Sequence, residues 1–236
     1  MNTFKTLFGI DNSSIKETCV IIPFFSKEIL KGFKVDKLNK GMIFSTGCND
    51  IFSLICTGMG SAFAGDAVLH LEDTKCKNII FFGSCGITKA SLLKRESITI
   101  VQKALSKDSF TDMILNKKAL DLFYPDKDLL NILKKALDPV ICSNVLTIGS
   151  IKLEESYLDR FKDLDCDIVD METAAVFAAA SSINKKAAAI LFTTDHIKEF
   201  PYYTAFKKEN LPIIKETAYK AASTVYKVIA DISCFA

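Results

Sequence analysis

Carboxylates stand at three places where this sequence otherwise turns apolar. In DIVDMETAAVFAAA, residues 167–180, Asp170 and Glu172 flank Met171 and lead into a run of Ala, Val and Phe. Acids favour the first turn of a helix, where the backbone N–H groups are unpaired and the dipole is positive. A helix start therefore explains the pair; so does an active site, where a carboxylate set among apolar residues accepts hydrogen bonds or moves protons. In LFTTDHIKEF, residues 191–200, Asp195 and His196 close an apolar run. Asp195 reads either as the N-cap of a following helix or, held in an apolar cleft, as a general acid of raised pKa. Glu28, in PFFSKEIL, has the spacing of an ordinary solvated glutamate. His70, between Leu69 and Leu71, reads as a packed histidine, and His196 lacks the third partner that would mark it as a base.

Two glycine-rich stretches accompany the acids. TGMGSAFAG, residues 57–65, passes through Gly58, Met59 and Gly60 into a helical pattern. Bare backbone N–H groups at such a turn hold an anion or an oxygen-rich ligand, or simply make a tight turn. Gly65 comes too late for a dinucleotide fingerprint, which would put its third glycine at position 63. FFGSCG, residues 81–86, repeats the theme with Ser84 between Gly83 and Gly86.

The elements that must position these groups alternate. TCVIIPFF (18–25), NIIFFGSCG (78–86), ITIVQKAL (98–105), PVICSNVLTIGS (139–150) and KAAAILFTTDH (186–196) read as strands. The segment 51–73 starts as a strand, breaks at Gly58 and Gly60, and continues as a helix with Phe63, Ala67, Leu69 and Leu71 as an apolar face. DKDLLNILKKAL (126–137) is an amphipathic helix, the Asp167 segment is a helix entered from a short extended piece, and 211–232 is a long closing helix that tolerates Pro212 in its first turn. Apolar strands alternating with helices predict an α/β fold, a three-layer α/β/α arrangement around a central mixed, mostly parallel twisted sheet, with residues 1–236 as a single domain. Ligands of such sheets bind beyond the carboxyl ends of the strands. Pro23–Glu28, Thr57–Gly60, Gly83–Gly86 and Thr193–His196 all fall at strand ends, and that coincidence outweighs any one motif.

Composition narrows the classes. Of 236 residues 49% are apolar, enough for a substantial core, and 30 basic against 28 acidic residues give a net charge of about +2. No basic block grows into an arm, so nothing supports nucleic-acid binding. Eight cysteines lie largely in apolar runs without CxxC spacing, and with only two histidines the expectation is buried reduced thiols and no metal site. No signal-peptide core and no apolar stretch of membrane-spanning length is present, so a cytoplasmic protein with no membrane association is expected.

Taken together, TGMGSAFA, FFGSCGIT, DIVDMETAAVFA and LFTTDHI, in that order, resemble the nucleoside phosphorylase and nucleosidase superfamily: purine nucleoside phosphorylases, uridine phosphorylases and methylthioadenosine/S-adenosylhomocysteine nucleosidases. The resemblance runs from about residue 18 to 230, and LFTTDHI is especially similar to the SDHI segment of bacterial purine nucleoside phosphorylases. It implies an enzyme that cleaves the N-glycosidic bond of a nucleoside without a cofactor. By the resemblance Glu172 accepts hydrogen bonds from the ribose hydroxyls, Met171 packs against the sugar, and Asp195 protonates the departing purine at N7. A solvated Glu172 and a more enclosed Asp195 would give the two acids their different protonation states. Uridine phosphorylases generally lack the acid, so its presence points to purines.

The sequence departs from the family at the nucleophile and at the base. Phosphorylases hold phosphate with an arginine just before the second glycine loop, where this chain has Phe81 and Phe82, and with an early arginine that aligns at or near Glu28. Nucleosidases carry a glutamate there that orients the attacking water, and Glu28 looks like it. A carboxylate repels phosphate and suits water, so hydrolysis is favoured. The alternatives are phosphorolysis, with phosphate in a loop formed by Gly58, Met59, Gly60 and Ser84, and a non-catalytic nucleoside-binding protein. Arg95 and Arg160 are the arginines that folding or a neighbouring subunit could still supply. For the base pocket the resemblance implies Gly86, Leu146, Asp195 and Phe200; Leu146 stands near the family's stacking aromatic, with Phe200, Tyr202 or Tyr203 to replace it. A homo-oligomer is implied, a dimer for a nucleosidase and a hexamer for a phosphorylase.

Overall fold

The computed structural model describes residues 3–88, 93–107, 121–155 and 163–233, so Arg160 lies outside the described residues. The strands are β1 Thr18–Ile22, β2 Asn39–Lys40, β3 Ser45–Cys48, β4 Ser53–Cys56, β5 Asn78–Ile87, β6 Ile98–Lys107, β7 Asp121–Phe123, β8 Ile141–Ile148, β9 Ile168–Asp170 and β10 Lys186–His196. The helices used below are α1 Thr3–Phe8, α2 Lys27–Gly32, α3 Ser61–Leu69, α4 Lys127–Ala136, α5 Thr173–Ser182, α6 Tyr202–Ala205 and α7 Leu211–Ser233. Short β2, β3 and β7, and helices α1 and α2, carry too little apolar pattern to be read from sequence.

The fold is a mixed α/β one with helices packed on a mixed sheet. Among the described residues its strand pairings divide into five parallel and five antiparallel. Parallel pairing dominates the interior, where β5 lies between β1 and β10, while antiparallel pairs occur at the β2–β3–β4 edge and around β6 and β9. Within the sheet β5, β10, β6, β8 and β9 pair in a closed circuit, which the alternation of strands and helices in the sequence does not reveal. Strand twist lets β9, only three residues long, bridge β8 back to β5.

Burial on both faces explains the near-continuous apolar runs. Along β5, Ile79 and Phe81 enter one core with Ala64, Ala67 and Val68 of α3 and Val176, Phe177 and Ala180 of α5. Ile80 and Phe82 face the other side, against Phe33, Phe52, Ala218, Ala222 and Val225. A third, small cluster (Leu105, Leu146, Ile148, Cys166, Val169 and Ile197) fills the closed part of the sheet. The apolar face of α3 differs from expectation: Ala64, Ala67, Val68 and Leu71 are buried, while Phe63 and Leu69 are exposed. Cys19 and Cys85 are fully enclosed as expected, Cys56 and Cys142 are half-buried, and the cysteines among the described residues are free thiols. Among the described residues no helix is long and apolar enough to cross a membrane.

Candidate active site

The carboxyl ends of β1, β5, β8, β9 and β10 surround a cavity of about 720 Å³ measured to its open mouth. Pro23, Phe24, Met59, Ser84, Gly86, Ile148, Ile151, Tyr202 and Phe206 line it together with four acids, Glu154, Asp170, Glu172 and Asp195. Five expected site residues thus meet with Asp195: Met59, Ser84, Gly86, Met171 and Glu172.

One end is built from the first glycine loop and the β9–α5 junction. Gly58 and Gly60 have φ of 90° and 107°, a region in which a side chain is strained, so the loop depends on glycine. That turn aims the Gly60 N–H at Glu172, whose Oε1 accepts it at 2.6 Å, and the Ser61 hydroxyl donates to the Met171 carbonyl oxygen at 2.7 Å. The loop amide thus already serves a carboxylate. Asp170 accepts the Thr147 hydroxyl at 2.6 Å and the Thr173 N–H at 2.9 Å, as well as the Thr173 hydroxyl. Asp170 therefore caps α5 and ties it to β8, the helix-start role that its sequence position allows. Glu172 is not solvated as expected but only 5% exposed; burial, then the Asp170 charge, push it up to about 8 against the Gly60 hydrogen bond.

At the other end, the β10–β5 ladder slips between Thr193 and Asp195, which pair with Cys85 and Gly86. Thr194 is the extra residue, and a bulge of this kind re-aims the next side chain. Asp195 accordingly projects over Gly86, where an added Cβ would stand 2.8 Å from its Oδ2. The Thr194 hydroxyl donates to Asp195 Oδ1 at 2.6 Å. Burial raises the Asp195 pKa, opposed by that hydrogen bond and by His196 and Arg95 nearby. Asp195 thus has the enclosed environment expected of it, though it is not the cap of a helix.

Three expected residues lie elsewhere. Glu28 is in the first turn of α2, capped by Ser26, and its side chain borders a surface depression with Lys31, Lys215, Glu216 and Tyr219. Its carboxyl is held below the usual range by backbone and Ser26 hydrogen bonds of that turn. The helix phase, invisible in a strand-based alignment, turns it away from the cavity. Leu146 is fully buried in the small cluster, and Ile148, two residues on along the same strand face, lines the cavity instead. Phe200 is taken by Arg95, whose guanidinium carbon lies 3.7 Å from the ring centre. Tyr202 and Phe206, stacked at 4.4 Å, supply the cavity's aromatic wall, whereas Tyr203 is exposed.

Glu154 escapes sequence reading because EE in an otherwise mixed stretch looks solvated. It follows β8 on a helical segment at 151–155 and is buried; burial, then the Asp195 charge, push it up to about 8. Among the described residues no group of His, Cys, Asp or Glu is arranged to hold a metal ion.

Residues 24–232 match the family model described as the phosphorylase superfamily. The chain belongs to that superfamily. Its DeoD-type purine nucleoside phosphorylase relative from Bacillus subtilis (strain 168) is 27% identical over 208 residues, 80% of this chain and 86% of that protein. The DeoD-type enzyme of Listeria monocytogenes serotype 4a (strain HCC23) is 30% identical over 168 residues, 67% of this chain and 70% of that one. Solved superfamily structures share the fold at lower identity. The 5'-methylthioadenosine/S-adenosylhomocysteine nucleosidase of Helicobacter pylori has a TM-score of 0.71 at 12% identity, covering 93% of this chain and 100% of that one. Uridine phosphorylase of Vibrio fischeri has a TM-score of 0.74 at 16% identity, covering 94% of each. The protein is thus an enzyme of the phosphorylase superfamily, with purine nucleoside phosphorylases among its sequence relatives.

Proposed function

We propose that the protein hydrolyses the N-glycosidic bond of a purine nucleoside. The observation that carries this reading is the lining of the cavity: four carboxyls and no Lys, Arg or His line it among the described residues. A phosphate dianion placed there meets acids without a guanidinium or ammonium to hold it, and the Gly60 amide is already engaged by Glu172. Water has no such penalty.

In this reading Asp195, as a neutral acid, protonates N7 as the bond to the purine lengthens, and the positive charge on the ribosyl carbon is stabilised by the acids at the other end. Glu172, held at one oxygen by Gly60, uses the other to accept a ribose hydroxyl or the attacking water, while Met171 packs on the sugar. The water-orienting role expected for Glu28 passes to Glu172, because Glu28 is on the surface. Tyr202 and Phe206 provide the stacking face for the base. A homo-oligomer suits this reading, and exposed Met59 and Phe63 offer apolar surface beside the site for a second copy.

Phosphorolysis is the second reading, favoured by the names of the sequence relatives. Incubation with a nucleoside panel, with and without phosphate, followed by separation of the products, distinguishes the two. Free ribose formed without phosphate is the expected result. Ribose 1-phosphate appearing only when phosphate is added overturns it, and binding without turnover points to a nucleoside-binding protein.

A further inference from the structure

Glu154 is the one acid in the cavity that neither the fold nor the mechanism above employs. It is 7% exposed, it lines the cavity, and its carboxyl makes no hydrogen bond to the described residues. Across from it is Asp195. A Cβ on Gly86 would stand 3.2 Å from Glu154 Oε1 and 2.8 Å from Asp195 Oδ2, so the two carboxyls overhang the same bare patch of backbone. Any side chain at position 86 would push into both.

Two enclosed carboxyls over one patch of backbone do not both ionise readily. The Asp195 charge is among the causes that push Glu154 up to about 8. A purine whose N7 accepts from Asp195 selects the state with the proton on Asp195 and leaves Glu154 as the acceptor beside it. On a purine whose N7 meets Asp195, the neighbouring group on the same edge is the substituent at position 6. A 6-amino group donates, so N7 and the amine together offer an acceptor and a donor, the complement of the pair. A 6-oxo group accepts, and sets its oxygen against the carboxylate. A buried acceptor left without a donor is the costlier mismatch.

We propose that Glu154 determines base specificity by accepting a hydrogen bond from the 6-amino group, so that the site takes 6-aminopurine nucleosides in preference to 6-oxopurine ones. The proposal rests on the seating of the purine at Asp195 adopted above, but not on the identity of the nucleophile. It goes one step beyond the acid role of Asp195: one carboxyl moves the proton and the other reads the base.

The test is binding of free adenine and free hypoxanthine to the full-length protein by calorimetry, with kcat/KM for adenosine and inosine in parallel. The wild type is expected to favour the 6-amino member of each pair by about tenfold to a hundredfold. Glu154→Leu should bring that ratio close to one. Glu154→Gln, the same shape with an amide that both accepts and donates, should narrow it by improving hypoxanthine binding. Because the readout is a ratio on one folded protein, a general loss of stability cancels, and Glu154→Gln suffices if Glu154→Leu does not fold. Equal affinity for both bases in the wild type, an unchanged ratio in the variants, or failure of adenine to bind overturns the proposal. Ribose 1-phosphate as product removes the hydrolase reading and leaves the ratio standing; an unchanged ratio alongside free ribose does the reverse.

Discussion

The two ends of the cavity each hold a pair of acids, and they use them differently. At the β9–α5 junction Asp170 is saturated by Thr147 and Thr173, and Glu172 is pinned by the Gly60 amide. At the β10 end Asp195 has the Thr194 hydroxyl, while Glu154 has none of the described residues as a hydrogen-bond partner. One end spends Asp170 and one oxygen of Glu172 on holding three segments of backbone together. The other leaves hydrogen-bonding capacity open towards the space a base would fill. A carboxyl that is already satisfied is architecture, whereas a buried one left open is costly unless a ligand completes it.

The contrast can be broken at its largest expected effect by Asp195→Asn, which removes the transferable proton and keeps the shape. Purine nucleoside cleavage should fall by about two to four orders of magnitude with base binding nearly retained. Steady-state kinetics beside calorimetry checks it, and unchanged turnover takes Asp195 out of the chemistry. Asp170→Asn should act on the opposite property. An amide nitrogen replaces an oxygen that accepts only donors, leaving polar groups mismatched at a cost of about 1–3 kcal/mol. Thermal denaturation should show the midpoint several degrees lower; a melting point equal to the wild type's means that the capping network is dispensable.

A smaller effect concerns both ends at once. Glu154 and Glu172 are each raised from 4.5 to about 8 in the folded protein. The native state therefore holds more protons than the unfolded one across that interval, and its stability, fully present below about pH 4.5, declines as pH rises through about 8. Melting curves between about pH 5 and pH 9 should show this decline, and it should flatten in Glu154→Gln and in Glu172→Gln. A midpoint that climbs over the same range contradicts the burial of these acids. The smallest effect is expected for Glu28→Gln, remote from the cavity: turnover within about twofold of wild type, and stability changed by no more than about 0.5 kcal/mol. A large loss of activity would bring Glu28 back into the site and restore the water-orienting role its sequence position suggests.

Much of this was legible in the chain. The apolar runs of β1, β5, β8 and β10 and the closing helix α7 are visible because a strand buried on both faces needs apolar residues at every position, and because a 23-residue helix carries its own periodicity. The order of the two glycine loops, the Met171–Glu172 step and the Asp195 segment identified the family, since loops at strand ends carry the residue types that ligand chemistry demands. Direction was harder to read. Glu28 is in the right stretch but on the outer side of a short helix, and Leu146 is on the right strand but one pleat repeat short of the cavity. A match along the chain locates a residue to within a turn or a pleat; the phase of that turn decides what it faces.

By itself, then, the sequence determined which elements form and which segments meet at the carboxyl ends of the strands, because burial and backbone geometry are written locally in residue type and spacing. Only the tertiary structure decided which carboxyls share an environment. The Thr194 bulge turns Asp195 over Gly86, the helical segment after β8 brings Glu154 to face it, and the Gly60 amide claims Glu172 from 112 residues away. Desolvation and charge–charge interaction depend on distance in space, and distance in space is what a linear chain does not record.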